Sequence, residues 1–139
     1  MFDLPHVVTG AQRAIEAAGL AGRCETAAGD MFESVPVGAD AYVMKSIVHA
    51  FGDERGVKIL QNVRRAILPD GRLLIVERVV PTGNEPSANK LADLQMLVMS
   101  GGRERTPREF EEFFAAGGFR LAKIHSTAGF FSIMEGVPA

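Results

Sequence analysis

The chain has 139 residues, 15 Lys plus Arg against 17 Asp plus Glu, a formal net charge of -2 and 47% hydrophobic residues. That length suits one domain with a buried core, and the charge gives no basis for binding nucleic acid or an acidic membrane. Lone Cys24 excludes an internal disulfide and a cysteine-rich metal cluster and fits a reducing, cytoplasmic setting. No apolar stretch approaches the about 18–20 residues of a membrane helix, and no signal peptide opens the sequence.

Strand and helix signals alternate along the chain. After Phe2-Asp3-Leu4, Pro5 suits the first turn of a helix, where its missing N–H is no loss. Val8, Ala11, Ile15 and Ala18 fall on one face of that helix, which Gly19 can end. Cys24 to Ala28 reads as a short strand closed by Gly29-Asp30. Ala41 to Val48 is a mostly apolar run broken by Lys45 and Ser46, a strand with polar residues near its carboxyl end. Gly52 or Asp53 can cap a helix whose apolar face is Val57, Leu60, Val63 and Ile67. Pro69-Asp70-Gly71 stops that helix with turn chemistry. Leu73 to Val76 is apolar at every position, the pattern of a strand covered on both faces.

Ser87 to Met99 carries Leu91, Leu94 and Val98 in helical phase. Thr106-Pro107-Arg108-Glu109 is a capping box with proline at the first helical position, and Phe110, Phe113 and Phe114 supply the apolar face behind it. Two strands near Phe119–His125 and Phe130–Glu135 are joined by a short turn, so they pair antiparallel. Alternating elements of this kind predict a three-layer α/β domain with a mostly parallel sheet. Ligands of such sheets bind beyond the carboxyl ends of the strands, where Asp3, Asp30, Lys45 to His49 and Glu77 all lie.

His49 stands where a strand gives way to a helix. A neutral imidazole there can take a hydroxyl proton near neutral pH, or simply bond a carbonyl. Glu77, directly after an apolar strand, can orient that imidazole as carboxylates do in triads, or pair with Arg78. Glu104 has flanking arginines as partners within Gly101-Gly102-Arg103-Glu104-Arg105-Thr106. Asp3 and Asp30 can each hold ribose hydroxyls or cap their own turns. His6 and His125 suggest no role. No G-x-G-x-x-G, P-loop or G-x-S-x-G motif occurs, and three scattered histidines predict no metal site.

In order, Phe2-Asp3-Leu4-Pro5, Gly29-Asp30-Met31-Phe32, Met44-Lys45-Ser46-Ile47-Val48-His49, Val76-Glu77 and Gly101 to Thr106 form one series. The series resembles the S-adenosylmethionine-dependent O-methyltransferases of the caffeic-acid type, including bacterial enzymes of secondary metabolism, from Phe2 to about Gly136. The resemblance implies a Rossmann-like methyltransferase sheet flanked by helices, mostly parallel with an antiparallel carboxyl-terminal hairpin. It implies S-adenosylmethionine as cofactor, a small aromatic or polyketide-like hydroxyl acceptor as partner, and no metal. By position, Asp3 would hold the ribose and Asp30 with Met31 the adenine end. Lys45 and Phe51 would lie at the adenosine pocket. His49 would be the general base, flanked by Glu77 and Glu104, and Asp93, Met96, Met99 and Ser100 would line the acceptor pocket.

The family commonly has His-Asp-Trp where this chain has His49-Ala50-Phe51. It also carries, ahead of the strand ending at Asp3, a first central strand, a glycine-rich cofactor loop and a helical dimerisation domain. Residues 1–139 therefore read as a single partial catalytic domain of a protein well over twice as long. Expected from this are weak cofactor binding, exposed sheet edges and self-association, as a homodimer or otherwise. A non-catalytic binding module or degenerate remnant on the same scaffold is the competing reading, and a receiver-like signalling domain fits only the layer pattern.

Overall fold

The computed structural model describes residues 1–139. Strand β1 (Phe2–Asp3) leads into α1 (Pro5–Ala17), then β2 (Ala27–Ala28) and β3 (Ala41–Lys45). A single 3₁₀ turn, Val48–Ala50, precedes α2 (Asp53–Ala66) and β4 (Arg72–Arg78). Helices α3 (Ala88–Ser100) and α4 (Pro107–Ala116) and strands β5 (Phe119–Ser126) and β6 (Phe131–Pro138) complete the chain. No helix is long and apolar enough to cross a membrane.

Local chemistry explains most of these boundaries. Pro5 and Pro107 open α1 and α4. Thr106 accepts from the Glu109 N–H while the Glu109 carboxylate accepts from the Thr106 N–H, so the capping box forms in both directions. Ser87 caps α3, and Gly101 ends it at a φ of 70°, a conformation that glycine adopts without a Cβ penalty.

The strands form two sheets. The larger has the order β3-β4-β6-β5, with β3 and β4 parallel and the carboxyl-terminal hairpin adding two antiparallel pairings. It is therefore mixed. The smaller is the parallel pair β1-β2, which shares no ladder with β3. Leu73, Ile75 and Glu77 alternate along β4 on the buried face, where α2 and α4 pack. Leu60, Val63, Phe110, Phe113, Phe114, Phe119 and Met134 join Leu73 and Ile75 in one core. Gly136, opposite Leu73, leaves room for the Phe114 ring, which a Cβ there would meet at 2.3 Å.

Two expectations change. The Leu73–Val76 strand is covered fully on one face only: Leu74 and Val76 are half-buried, and Val43, beside Leu74, is 64% exposed. The second helical layer is missing from this sheet because α1 packs against β1 and β2 instead. The buried face of α2 includes Ile59 and Asn62, while Val57 is half-buried. The α3 helix forms as its periodicity predicts, and its Leu91, Leu94 and Val98 row is exposed.

Candidate active site

Glu77 continues the buried row of β4, so the strand's period delivers a carboxylate to the core edge at its carboxyl end. It has no exposed surface. Its Oε1 accepts the backbone N–H of Ile47 at 2.9 Å and of His49 at 3.4 Å, tying β4 to the 3₁₀ turn. Its Oε2 lies 3.2 Å from His49 Nδ1. Glu104, 3% exposed, places Oε1 3.0 Å from the same nitrogen. The second oxygen of Glu104 and Oε2 of Glu77 have no hydrogen bond.

This arrangement fixes the tautomer. Ionised carboxylates only accept, so a neutral imidazole here carries its proton on Nδ1 and its lone pair on Nε2. The imidazole is thus an acceptor on the side away from the two glutamates, with its side chain 17% exposed. Burial pushes the Glu77 carboxyl above its ordinary 4.5, with the nearby Glu104 adding to the shift; His49 and the two backbone N–H groups oppose it. Nδ1 and the two carboxylates also lie within 4.8 Å of one another, spacing that a divalent cation would need. A cation there would take the Nδ1 lone pair and leave Nε2 a donor, which would end any role as a base.

The alternative ion pairs, of Glu77 with Arg78 and of Glu104 with its flanking arginines, do not form. The guanidinium of Arg78 lies over the rings of Phe130 and Phe131. Arg103 and Arg105 both reach Asp53, at 3.2 and 2.7 Å. His125 bonds Glu135 at 2.9 Å on the hairpin surface.

Asp3, Asp30, Met31, Lys45 and Phe51, the cofactor-side residues of the sequence reading, all line one cleft of about 670 Å³ between β1 and β3. Most of its lining is apolar. Asp3 accepts the Leu4 N–H at 2.7 Å, and Asp30 accepts the Phe32 N–H at 2.8 Å. Each is thus a turn aspartate with its second oxygen free. The Phe32 and Phe51 rings meet edge to face at 5.1 Å, and the Arg55 guanidinium caps both, 4.3 and 4.9 Å from their centroids. Lys45 sends its ammonium toward the Phe131 ring, 5.3 Å from the centroid. The cleft and the His49 imidazole meet through one short segment: Phe51 faces the cleft two residues after His49.

The α3 residues divide. Asp93 accepts the Glu104 N–H at 2.8 Å and so anchors the residue whose carboxylate meets His49. Met96 is half-buried, Ser100 bonds the Met96 carbonyl at 3.1 Å, and Met99 is 70% exposed. None of the four lines the cleft.

Two contributors escaped the sequence reading. Buried Asn62 donates to the Met31 carbonyl at 2.6 Å and ties the Asp30 turn to α2. Gly102 packs on the 3₁₀ turn so closely that a Cβ would sit 2.0 Å from the His49 carbonyl oxygen. A polar residue on the apolar side of α2 was a readable signal for the first; the second had none beyond the glycine pair.

Comparison with known proteins agrees with this geometry. The profile of the O-methyltransferase domain matches residues 1–120. Phenazine O-methyltransferase PhzM of Lysobacter antibioticus is 45% identical over 138 residues, covering 99% of this chain and 40% of the relative. The crystal structure of LaPhzM superposes with a TM-score of 0.96 at 45% identity, covering 100% of this chain and 42% of that one. NcsB1 of neocarzinostatin biosynthesis, solved with S-adenosylmethionine and 2-hydroxy-5-methyl naphthoic acid, gives 0.89 at 30% identity over 99% of this chain and 40% of that one. The chain thus spans about 40% of the length of the relatives it matches. With the family profile covering most of its residues, the chain belongs to the O-methyltransferase domain family.

Proposed function

We propose that this chain is the base-bearing part of an S-adenosylmethionine-dependent O-methyltransferase that methylates a hydroxyl of a small aromatic or polyketide-like molecule. The observation that carries the reading is the His49 imidazole, held at Nδ1 by two buried carboxylates with Nε2 left free. Two buried glutamates beside one imidazole are costly, and a scaffold alone has no use for them. That cost weighs against the competing reading as a non-catalytic interaction module, which draws on the exposed apolar row of α3.

The cleft fits the nucleoside portion of the cofactor. Its volume is in the range of small-molecule sites, it offers free carboxylate oxygens on Asp3 and Asp30 for hydroxyls, and Met31, Phe32 and Phe51 offer apolar faces. Bound S-adenosylmethionine would supply an already activated methyl group, so the chain's own task is positioning and proton removal. His49 Nε2 accepts the acceptor hydroxyl proton as the O–CH₃ bond forms. Glu104 and Glu77 stabilise the resulting imidazolium, and Asp93 steadies Glu104. Asp93, Met96, Met99 and Ser100 would meet the acceptor on the α3 side, where pliable Met side chains suit a flat ring.

The facing edges of β1 and β3 have no strand between them. In this reading a further strand from upstream polypeptide fills that place and completes the cofactor seat. Open edges and the exposed Leu91, Leu94, Leu97 and Val98 row favour self-association of residues 1–139; light scattering giving a clean monomer would contradict it. The functional test is His49→Ala in a longer form that transfers methyl groups. Turnover should fall by about 10²–10⁴-fold with cofactor affinity nearly unchanged; undiminished turnover would remove the base assignment.

A further inference from the structure

The run Val48 to Phe51 carries His49, and three of its four carbonyls are held from one short segment. The Arg105 Nη1 donates to the Val48 carbonyl at 3.4 Å, and Nη2 to the Phe51 carbonyl at 3.5 Å. Between them, the Arg103 backbone N–H donates to the His49 carbonyl at 2.9 Å. The same guanidinium bonds Asp53 Oδ1 through Nε at 3.0 Å and Nη2 at 2.7 Å, and its face lies 4.2 Å from the Phe113 centroid. Arg105 is 1% exposed, whereas the Asp53 side chain is 55% exposed.

A buried guanidinium is costly unless its N–H groups are met, and an apolar side chain would pack on Phe113 more cheaply. Bulk stability is therefore a poor reason for an arginine here. Its planar fork is the reason that fits: several donors in fixed directions span carbonyls on both sides of the base, which an ammonium cannot do. Holding those carbonyls sets the rotation of the 3₁₀ turn. That rotation aims the Ile47 and His49 N–H groups at Glu77 and the imidazole at Glu104. The Arg105 carbonyl also accepts the Val80 N–H at 2.9 Å, so the residue after Glu104 is pinned to the end of β4.

We propose that Arg105 is the positioning residue of the base: its fork grips the Val48 and Phe51 carbonyls, while Asp53 holds the fork in place. The proposal rests on His49 being the base, but its geometry is tested without turnover. In the 139-residue chain, Arg105→Lys keeps charge and length but loses the fork. NMR should show a folded protein in which the hydrogen-bonded His49 Nδ1–H resonance is lost and hydrogen-exchange protection of the Ile47 and His49 amides falls by about tenfold or more. Asp53→Asn should give the same changes in weaker form. In a longer, active form Arg105→Lys should lower kcat with KM unchanged. A folded Arg105→Lys with wild-type resonance and protection overturns the proposal. If that variant does not fold, wild-type signals in Asp53→Asn overturn it. Failure of the base reading shows separately, as surviving turnover in His49→Ala.

Discussion

Around His49, every charged partner is buried: Glu77, Glu104 and Arg105 are 0%, 3% and 1% exposed; backbone N–H groups meet Glu77, Arg105 bonds backbone carbonyls, and Asp93 holds the Glu104 N–H. Around the cleft, the carboxylates of Asp3 and Asp30 face solvent, α1 buries no residue, and β1 and β2 are two residues long. The difference teaches where each half gets its order. The His49 imidazole is positioned by long-range contacts among β4, the 3₁₀ turn and residues 102–105, all backed by one core. The cleft side depends on Asn62 and the Phe32–Phe51 contact to hold the first thirty residues against α2.

Three substitutions probe that contrast. Gly102→Ala should have the largest effect. Its Cβ would meet the His49 carbonyl, Ala50 and Phe51 backbone at 2.0 to 2.8 Å, so the turn must move; about 3 kcal/mol of destabilisation in urea unfolding is expected. Near-wild-type stability would show that the base half is more pliable than its burial implies.

Next comes the pH dependence of Glu77. Its folded carboxyl titrates above the ordinary 4.5 because of burial. The folded state therefore holds that proton longer than the unfolded chain, and the group's contribution is fully present below the unfolded value. It is lost as pH rises from there through the raised folded value. Glu77→Gln removes this titration, so its unfolding free energy should decline less than wild type over that window. Parallel curves would assign the wild-type slope to another group.

The smallest effect belongs to the other region. Gly10 sits inside α1 with nothing within 4 Å of a built Cβ, so Gly10→Ala should stabilise by about 0.5–1 kcal/mol. If α1 opens ahead of the core, the gain appears in hydrogen exchange of α1 and not in the global transition. That outcome would sharpen the contrast into two units of unequal stability.

What the sequence made legible follows the range of each interaction. The capping box at Thr106 to Glu109, the proline starts and the glycine stop at Gly19 are local, and all formed. The order of motifs was enough to bring Asp3, Asp30, Met31, Lys45 and Phe51 to one cleft. Only the resemblance set Glu104 beside His49; taken alone, the sequence pointed as readily to the arginines that stand next to it. In an extended segment neighbours point to opposite sides, so Arg103 and Arg105 reach Asp53 together while Glu104 turns to His49. Asn62 and Gly102 act on residues 31 and 53 positions away; no local pattern carries that distance. The leucine row of α3 was a correct helix signal and a poor burial signal, because periodicity does not say whether a partner surface exists.

We propose, centrally, that the base is already assembled while the cofactor seat stands open between β1 and β3. Calorimetric titration of S-adenosylhomocysteine into the 139-residue chain tests it most directly. The account predicts binding no tighter than about 0.1 mM, since the cleft lacks a wall where β1 and β3 fail to meet. A low-micromolar dissociation constant would contradict it, by showing that the cleft as it stands already suffices.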